Sequence, residues 1–428
     1  MTRRRPQTVT AALILGCVLL TPSTVSAQPD KLDILLPSLF AERLRVNEGA
    51  LRGVFPGLVV DGRTVNFQQI LDDQITSTFT MNSLIAAQVS SFPLGSSAGG
   101  FSWTFDPALG TFNRVSDSFG PVFAERALTA GKGRLNLSAS YQRATFDRLQ
   151  GKDLQSGEIV QYTGFLLPSS VAGPTRSAFF EDRLALKLTT DIVAISGAYG
   201  ATDRLDVGVV VPIVKVDMEA RLDFRAGVNG TFGSAAPILG KTVAGNASGV
   251  GDLVARAKYN IVKRPGGGVA AGVDWRLPTG DDENLLGTGM QAKMYAAVSA
   301  QAQRLSPHVN FGYTVSKEAS AHTENEPDQI NFAGGADVAV TPRLTVVGDL
   351  VGRTLRDTAF LDYQPSQFGG SFQQFTTDYG NLNLLLGSAG VKFNPGGKGL
   401  VSFSVLFPLN DNGLQDKLTW MGGVEFSF

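Results

Sequence analysis

The residues able to do chemistry in this 428-residue chain are mostly charged, and they recur at every second position of otherwise apolar stretches. Arg256 and Lys258 lie two apart, as do Asp274 and Arg276. Asp252, Lys293, Asp337, Asp349, Arg353, Lys392 and Glu425 hold equivalent places in neighbouring stretches. Side chains alternate across a strand, so these groups project to one face and their apolar neighbours to the other. The signs nearly balance. A selective ion pore would present one sign at a constriction, whereas balance predicts ion pairs that hold a wall or clamp a plug, with a track for a passing solute as the alternative. Catalysis would need a histidine beside a serine or an acid. Of the 2 histidines, His308 begins a strand and His322 lies in a polar loop, neither in a recognisable catalytic motif, and no enzyme is expected. Gly240-Lys241-Thr242 invites a phosphate-loop reading, which fails because the spacing requires glycine where Ala235 stands. There is no Cys/His cluster for a transition metal, and no cofactor is expected.

The elements that must carry these groups are strands. In the last one, Leu418, Trp420, Gly422, Val424, Phe426 and Phe428 share one face, while Thr419, Met421, Gly423, Glu425 and Ser427 share the other. The same alternation recurs at 253–261, 269–277, 309–316, 330–340 and 401–407, each about the ~9–11 residues of a tilted transmembrane strand. No stretch of the mature chain is an apolar run of ~20 residues. A membrane protein without spanning helices must close its sheet, because lipid cannot satisfy an open edge. The mean hydropathy of +0.05 fits alternating strands. A net charge of −1 argues against a nucleic-acid partner.

Connections alternate in length. Tight turns fall near 201–203, 264–267, 341–342 and 395–398, and longer polar loops near 151–176, 225–247, 279–288, 318–328, 355–379 and 409–416. Short periplasmic turns and long outer loops are the habit of outer-membrane barrels. With Phe428 at the periplasmic end, the expected fold class is all-β: an antiparallel transmembrane β-barrel of about 12 strands over residues 133–428, with an even strand count. The alternative is 14 strands, if residues 28–132 add a hairpin. That segment is otherwise read as a plug or periplasmic extension, with helices near 33–46 and 68–75 and strands at 84–92 and 100–105. After Pro212 the apolar parity switches, which predicts either a β-bulge there or a strand leaving the membrane.

Residues 1–27 read as a signal peptide. Arg3, Arg4 and Arg5 precede an apolar run from Val9 to Leu20, and Val25-Ser26-Ala27 offers a cleavage site before Gln28. Processing as a lipoprotein at Cys17, the single cysteine, is the alternative.

Three motifs narrow the reading. Ser248-Gly249-Val250-Gly251-Asp252-Leu253 is followed by Ala257-Lys258-Tyr259. Leu277-Pro278-Thr279-Gly280-Asp281 closes with Leu286-Gly287-Thr288-Gly289, and Thr202-Asp203-Arg204-Leu205-Asp206-Val207-Gly208 runs on to Pro212. Together they resemble an outer-membrane transporter family labelled "MetA-pathway of phenol degradation", over about residues 119–428. The resemblance implies an outer-membrane barrel that takes up aromatic or other hydrophobic compounds. The expected function is therefore a passive channel for small hydrophobic solutes, with a structural or adhesive surface barrel as the alternative. The expected partners are the solute, outer-membrane lipid and lipopolysaccharide. The acidic run Asp281-Asp282-Glu283 is read as a solvated loop, or else as a divalent-cation site near lipopolysaccharide. The terminal Phe428 resembles the signal read by the barrel-insertion machinery.

Overall fold

The computed structural model describes residues 31–43, 59–60, 63–64, 67–89, 91, 93, 95–96, 100–106, 111–167, 176–228, 231–232, 239–317, 327–366 and 372–428. The signal segment, Cys17 and His322 lie outside them.

Twelve antiparallel strands close a barrel. They are β1 (Leu135–Leu149), β2 (Arg176–Gly200), β3 (Leu205–Val228), β4 in two pieces (Leu239–Val250 and Val254–Arg264), β5 (Gly267–Arg276), β6 (Gln291–Ser299), β7 (Leu305–Ser316), β8 (Gln329–Thr341), β9 (Leu344–Pro365), β10 (Gln373–Gly396), β11 (Gly399–Pro408) and β12 (Thr419–Ser427). β12 pairs with β1 from Trp420↔Arg143 to Ser427↔Asn136. Beyond that ladder, Leu135 and Phe428 exchange backbone hydrogen bonds at 3.2 and 2.8 Å, so the last residue completes the seam. Closure leaves no edge for lipid to strand.

Each strand sends large apolar side chains to the outside at every second position. Val207 and Val209 on β3, Val273 and Trp275 on β5, and Val401 and Phe403 on β11 are examples; Phe311 on β7 is 62% exposed. In water such a band would be a liability. Around a closed barrel it is the lipid-facing belt of an outer-membrane protein, and the outer membrane is where this chain resides. Turn lengths alternate as the sequence predicts: 201–204, 265–266, 300–304, 342–343 and 397–398 are short, and the opposite ends are long.

Much of what reads as outer loop is strand. β2, β3, β9 and β10 run 22–25 residues, about twice what a tilted span needs. They continue past the membrane as two tall paired ladders, β2 with β3 and β9 with β10. This settles the parity switch in β3. Pairing of β3 with β2 is unbroken from Asp206 to Val228, so β3 has no bulge at Pro212. Val209 and Ile213 face lipid; above them Lys215, Glu219 and Arg221 hold the same side in water, while Val214, Val216, Met218, Ala220 and Leu222 are buried inside. The irregularity sits in the facing strand. β4 is interrupted at 251–253, opposite Val211 and Pro212, and its inward parity changes from odd to even residues there.

Before the barrel come helical residues 35–43, α1 (Phe67–Val89), and a small hairpin of Trp103–Asp106 with Thr111–Arg114. The expected strand at 84–92 is instead the last part of α1. Met81, Leu84, Ile85, Gln88 and Val89 are buried at the i, i+3, i+4, i+7, i+8 spacing of one helical face. Leu84-Ile85 looks extended only when that wider period is overlooked.

Candidate functional site

The site is built around contacts between the segment preceding β1 and the barrel wall. At the outer end these contacts are apolar. Leu35, Leu36, Leu39 and Phe40, with Met81, Leu84 and Ile85 of α1, share one buried cluster with Leu186 and Leu188 of β2, Val216 and Met218 of β3, Leu361 of β9 and Phe375 of β10. Each large apolar side chain removed from water there contributes roughly 1.5–3 kcal/mol.

Nearer the periplasmic end the contacts are polar. Residues 118–130 have few backbone partners of their own and take them from wall side chains. Asp349 Oδ2 accepts the N–H groups of Val122 (3.0 Å) and Phe123 (3.1 Å). Asp206 accepts the N–H of Ala130 at 3.0 and 3.2 Å, and Ser299 Oγ that of Ala127 at 3.0 Å. Asn260 donates to the Ala127 carbonyl at 2.7 Å, and Asn310 to that of Glu125 at 2.7 Å. Lys392 donates to the carbonyls of Phe119 and Pro121 at 3.3 and 2.6 Å, and Glu425 accepts the Gly100 N–H at 2.7 Å.

Two charge clusters are superimposed on this. Glu125 lies 3.3 Å from Lys258 Nζ and 4.0 Å from Arg256, which also stands 3.4 Å from Asp274 and donates to the Gly95 carbonyl at 2.8 Å. On the other side, His308 is buried between Asp349 (2.7 Å) and Asp337 (3.4 Å). Both of its ring nitrogens face carboxylates, an arrangement unlike that of a general base beside a nucleophile. Arg126, fully buried and bonded to Ser116 at 3.4 Å, adds a cation near Asp337 and Glu425.

Of the remaining candidates, Arg353 donates to the carbonyl and hydroxyl of Ser91. Lys293 lies 5.5 Å from the Tyr295 ring centroid, and Arg276 ends β5 beside the same cavity. The sequence reading singled out neither Glu125 nor Arg126, because nothing in a segment without periodicity says which wall it meets. Asp206 was visible only within a motif.

The outer rim has its own logic. Asp252, turned inward by the interruption in β4, accepts the N–H groups of Thr279 (3.1 Å), Gly280 (2.9 Å) and Thr288 (2.6 Å), and Thr279 Oγ1 donates to the Gly251 carbonyl at 2.9 Å. The two Gly-rich motifs are thus one device, a carboxylate that folds the β5–β6 loop. A Cβ on Gly287 would come within 2.7 Å of Asp252 Oδ1, so glycine lets the loop approach. Asp252→Ala is expected to leave three N–H groups without their acceptor, at about 1–3 kcal/mol each where buried. The loop should then be cut by external protease while the barrel stays intact on heat-shift gels. The acidic run itself is met by Lys31, 2.9 Å from Glu283 and 3.6 Å from Asp281.

Between the segment and the wall lies a cavity of about 220 Å³ at the level of the outer ends of β5–β8. Arg256, Asp274, Arg276, Lys293 and Arg353 supply its charged surface together with Glu125, and Phe123, Val351, Leu384 and Leu386 contribute apolar surface. A second cavity of about 100 Å³ lies toward β1–β3 and β12, and Arg256 borders both.

The family model "Putative MetA-pathway of phenol degradation" matches residues 180–395, half of the chain. The chain belongs to this family. The matched region runs from within β2 to the end of β10 and contains all three motifs and the rim loop. Similar solved structures include an outer membrane channel from Pseudomonas putida F1 (15% identity, 69% of this chain and 96% of that one, TM-score 0.42). A Pseudomonas aeruginosa FadL homologue is 13% identical over 77% and 94% of the two chains, with a TM-score of 0.31. The CymD monoaromatic hydrocarbon channel is 9% identical over 70% and 89%, with a TM-score of 0.27. No curated protein matches the chain.

Proposed function

We propose that this family member is a passive outer-membrane channel for small hydrophobic or aromatic solutes, and that residues 28–132 form a plug which shifts to let them pass. The cavity of about 220 Å³ carries this reading. An apolar cavity of roughly 150 Å³ accepts benzene, so this one suits a single substituted ring and not a long lipid tail. The plug reading is supported by the contacts of residues 118–130, which reach side chains of β3, β4, β6, β7, β9 and β10 from around the barrel. The family's description, phenol degradation, agrees with an aromatic solute. The charges that touch the plug act as its clamp, and those around the cavity act as the solute's polar contacts. Phe428, which completes the seam, is the residue we assign to recognition by the insertion machinery.

An adhesive role finds less support. Four of the described outer aromatics bury one another, although Tyr379 stays exposed: Tyr162 stacks on Phe372 at 5.3 Å, and Phe179 and Phe232 close around them. Beneath them Glu181 is buried. Burial works against its charge, but hydrogen bonds from Arg183, Arg225 and Tyr162 outweigh that and hold the carboxyl below its ordinary range.

The test is uptake of dilute radiolabelled single-ring aromatics and of a trisaccharide by cells with and without the protein. The ring compounds should enter faster only when the protein is present, with the trisaccharide unaffected. Uptake of every compound unchanged by the protein would refute the channel.

A further inference from the structure

The larger cavity has a charge pattern that the channel reading does not require. Four cations border it, Arg256, Arg276, Lys293 and Arg353, against two carboxylates, Glu125 and Asp274. Both carboxylates are already engaged by Arg256, and Glu125 by Lys258 as well. Among the described lining residues, cations therefore outnumber carboxylates by two. Lys293 is the clearest case. The residue is half-buried, its ammonium lies 5.5 Å from the Tyr295 ring centroid, and it makes no ion pair among the described residues, Asp274 across the β5–β6 ladder included. In a partly dry lumen such a cation is more strongly felt than in water, and a carboxylate is the group that best satisfies it through charge-assisted hydrogen bonds.

The lining also has an apolar part. Phe123, Val351, Leu384 and Leu386 face the same space and offer nothing to a charge. A ligand that satisfies both parts has an anionic head and an apolar body. The volume limits that body to about one ring, given that roughly 150 Å³ holds a benzene. We propose that this cavity is a binding site for an aromatic monocarboxylate, with its carboxylate toward Lys293 and its ring against Leu384 and Leu386. This rests on the channel reading and narrows its solute class.

Binding can be measured by equilibrium dialysis of labelled benzoate against the full-length protein in nanodiscs, with empty nanodiscs as the reference and benzyl alcohol as the neutral comparison. Benzoate should bind saturably, about tenfold tighter than benzyl alcohol, and its affinity should fall as sodium chloride is raised. Lys293→Gln should weaken benzoate about tenfold and benzyl alcohol no more than about twofold, while Lys293→Arg should restore most of the benzoate affinity. Equal affinity for the two compounds, a salt-independent benzoate affinity, or unaltered benzoate binding in folded Lys293→Gln would overturn the proposal. Because uptake of neutral ring compounds is measured separately, a channel that admits them without preferring benzoate refutes only the anion site.

Discussion

Removing residues 28–132, with the signal segment kept, should turn the barrel into an open pore. The wall does not depend on this segment for closure: β12 pairs directly with β1, and every ladder from β1 to β12 is formed between strands. What the segment supplies, in the plug reading proposed above, is filling. Without it the apolar upper interior and the polar lower one face an empty lumen. Barrels of 8 strands are filled by side chains and those of 16–18 leave a channel, so 12 strands around nothing should conduct, with single-channel conductance on the order of tenfold above the intact protein. Planar-bilayer recording checks this, and heat-modifiable gel mobility checks that the truncated wall still folds. A folded, truncated barrel with unchanged conductance would show that the segment does not obstruct the lumen.

The second large effect is expected from Glu125→Ala. The Glu125 carboxylate is the counter-charge for Lys258, which is only 2% exposed, and a second counter-charge for Arg256. Arg256 keeps Asp274; Lys258 keeps only Asp206, its neighbour across the β3–β4 ladder, which lies beyond ion-pair distance. Removing one member of a buried pair strands the other, at about 3–5 kcal/mol. The barrel ladder can absorb that, because Lys258 stays on its strand. The plug cannot, because it would be left facing an unpaired cation. The expected result is a plug that dissociates from the wall in folded protein: faster proteolysis between 91 and 131, and frequent full-conductance openings. Glu125→Gln should fall between the two, since an amide can still accept from Lys258. Protease resistance and conductance like those of the intact protein would contradict the clamp.

The wall was legible because lipid imposes one strict rule on it. Alternation at Trp420, Val424 and Phe426, or at Val401 and Phe403, needs no knowledge of distant contacts, and turn lengths then set the orientation. Legibility ended where the environment changed while the strand continued. At Lys215 and Glu219 the same face passes from lipid to water, and a pattern read as one solvent suggested a bulge in β3 that the structure places in β4 instead. The outer loops were misjudged for the same reason: 355–379 is polar outside, yet most of it is β9 and β10. The segment before β1 was opaque for another cause. Residues such as Val122, Phe123 and Ala130 use wall side chains as backbone partners, so their conformation is set by residues 76 to 227 positions away. No local pattern can encode that. Asp349 and Lys392 could be assigned a facing from parity, but not the carbonyls and N–H groups they serve.

The central claim is that solute passes only when the plug leaves the wall. Ser118 and Ser306 offer a direct lock. Their hydroxyl oxygens are 3.1 Å apart, both are buried, and one belongs to the plug and the other to β7. A cysteine at each position can form a disulfide with little movement, and the sequence carries no other cysteine after Cys17. Uptake of a labelled single-ring aromatic by cells bearing S118C/S306C should fall to the level without the protein under oxidising conditions and recover on adding reductant. Undiminished uptake through the oxidised, crosslinked protein would contradict the account.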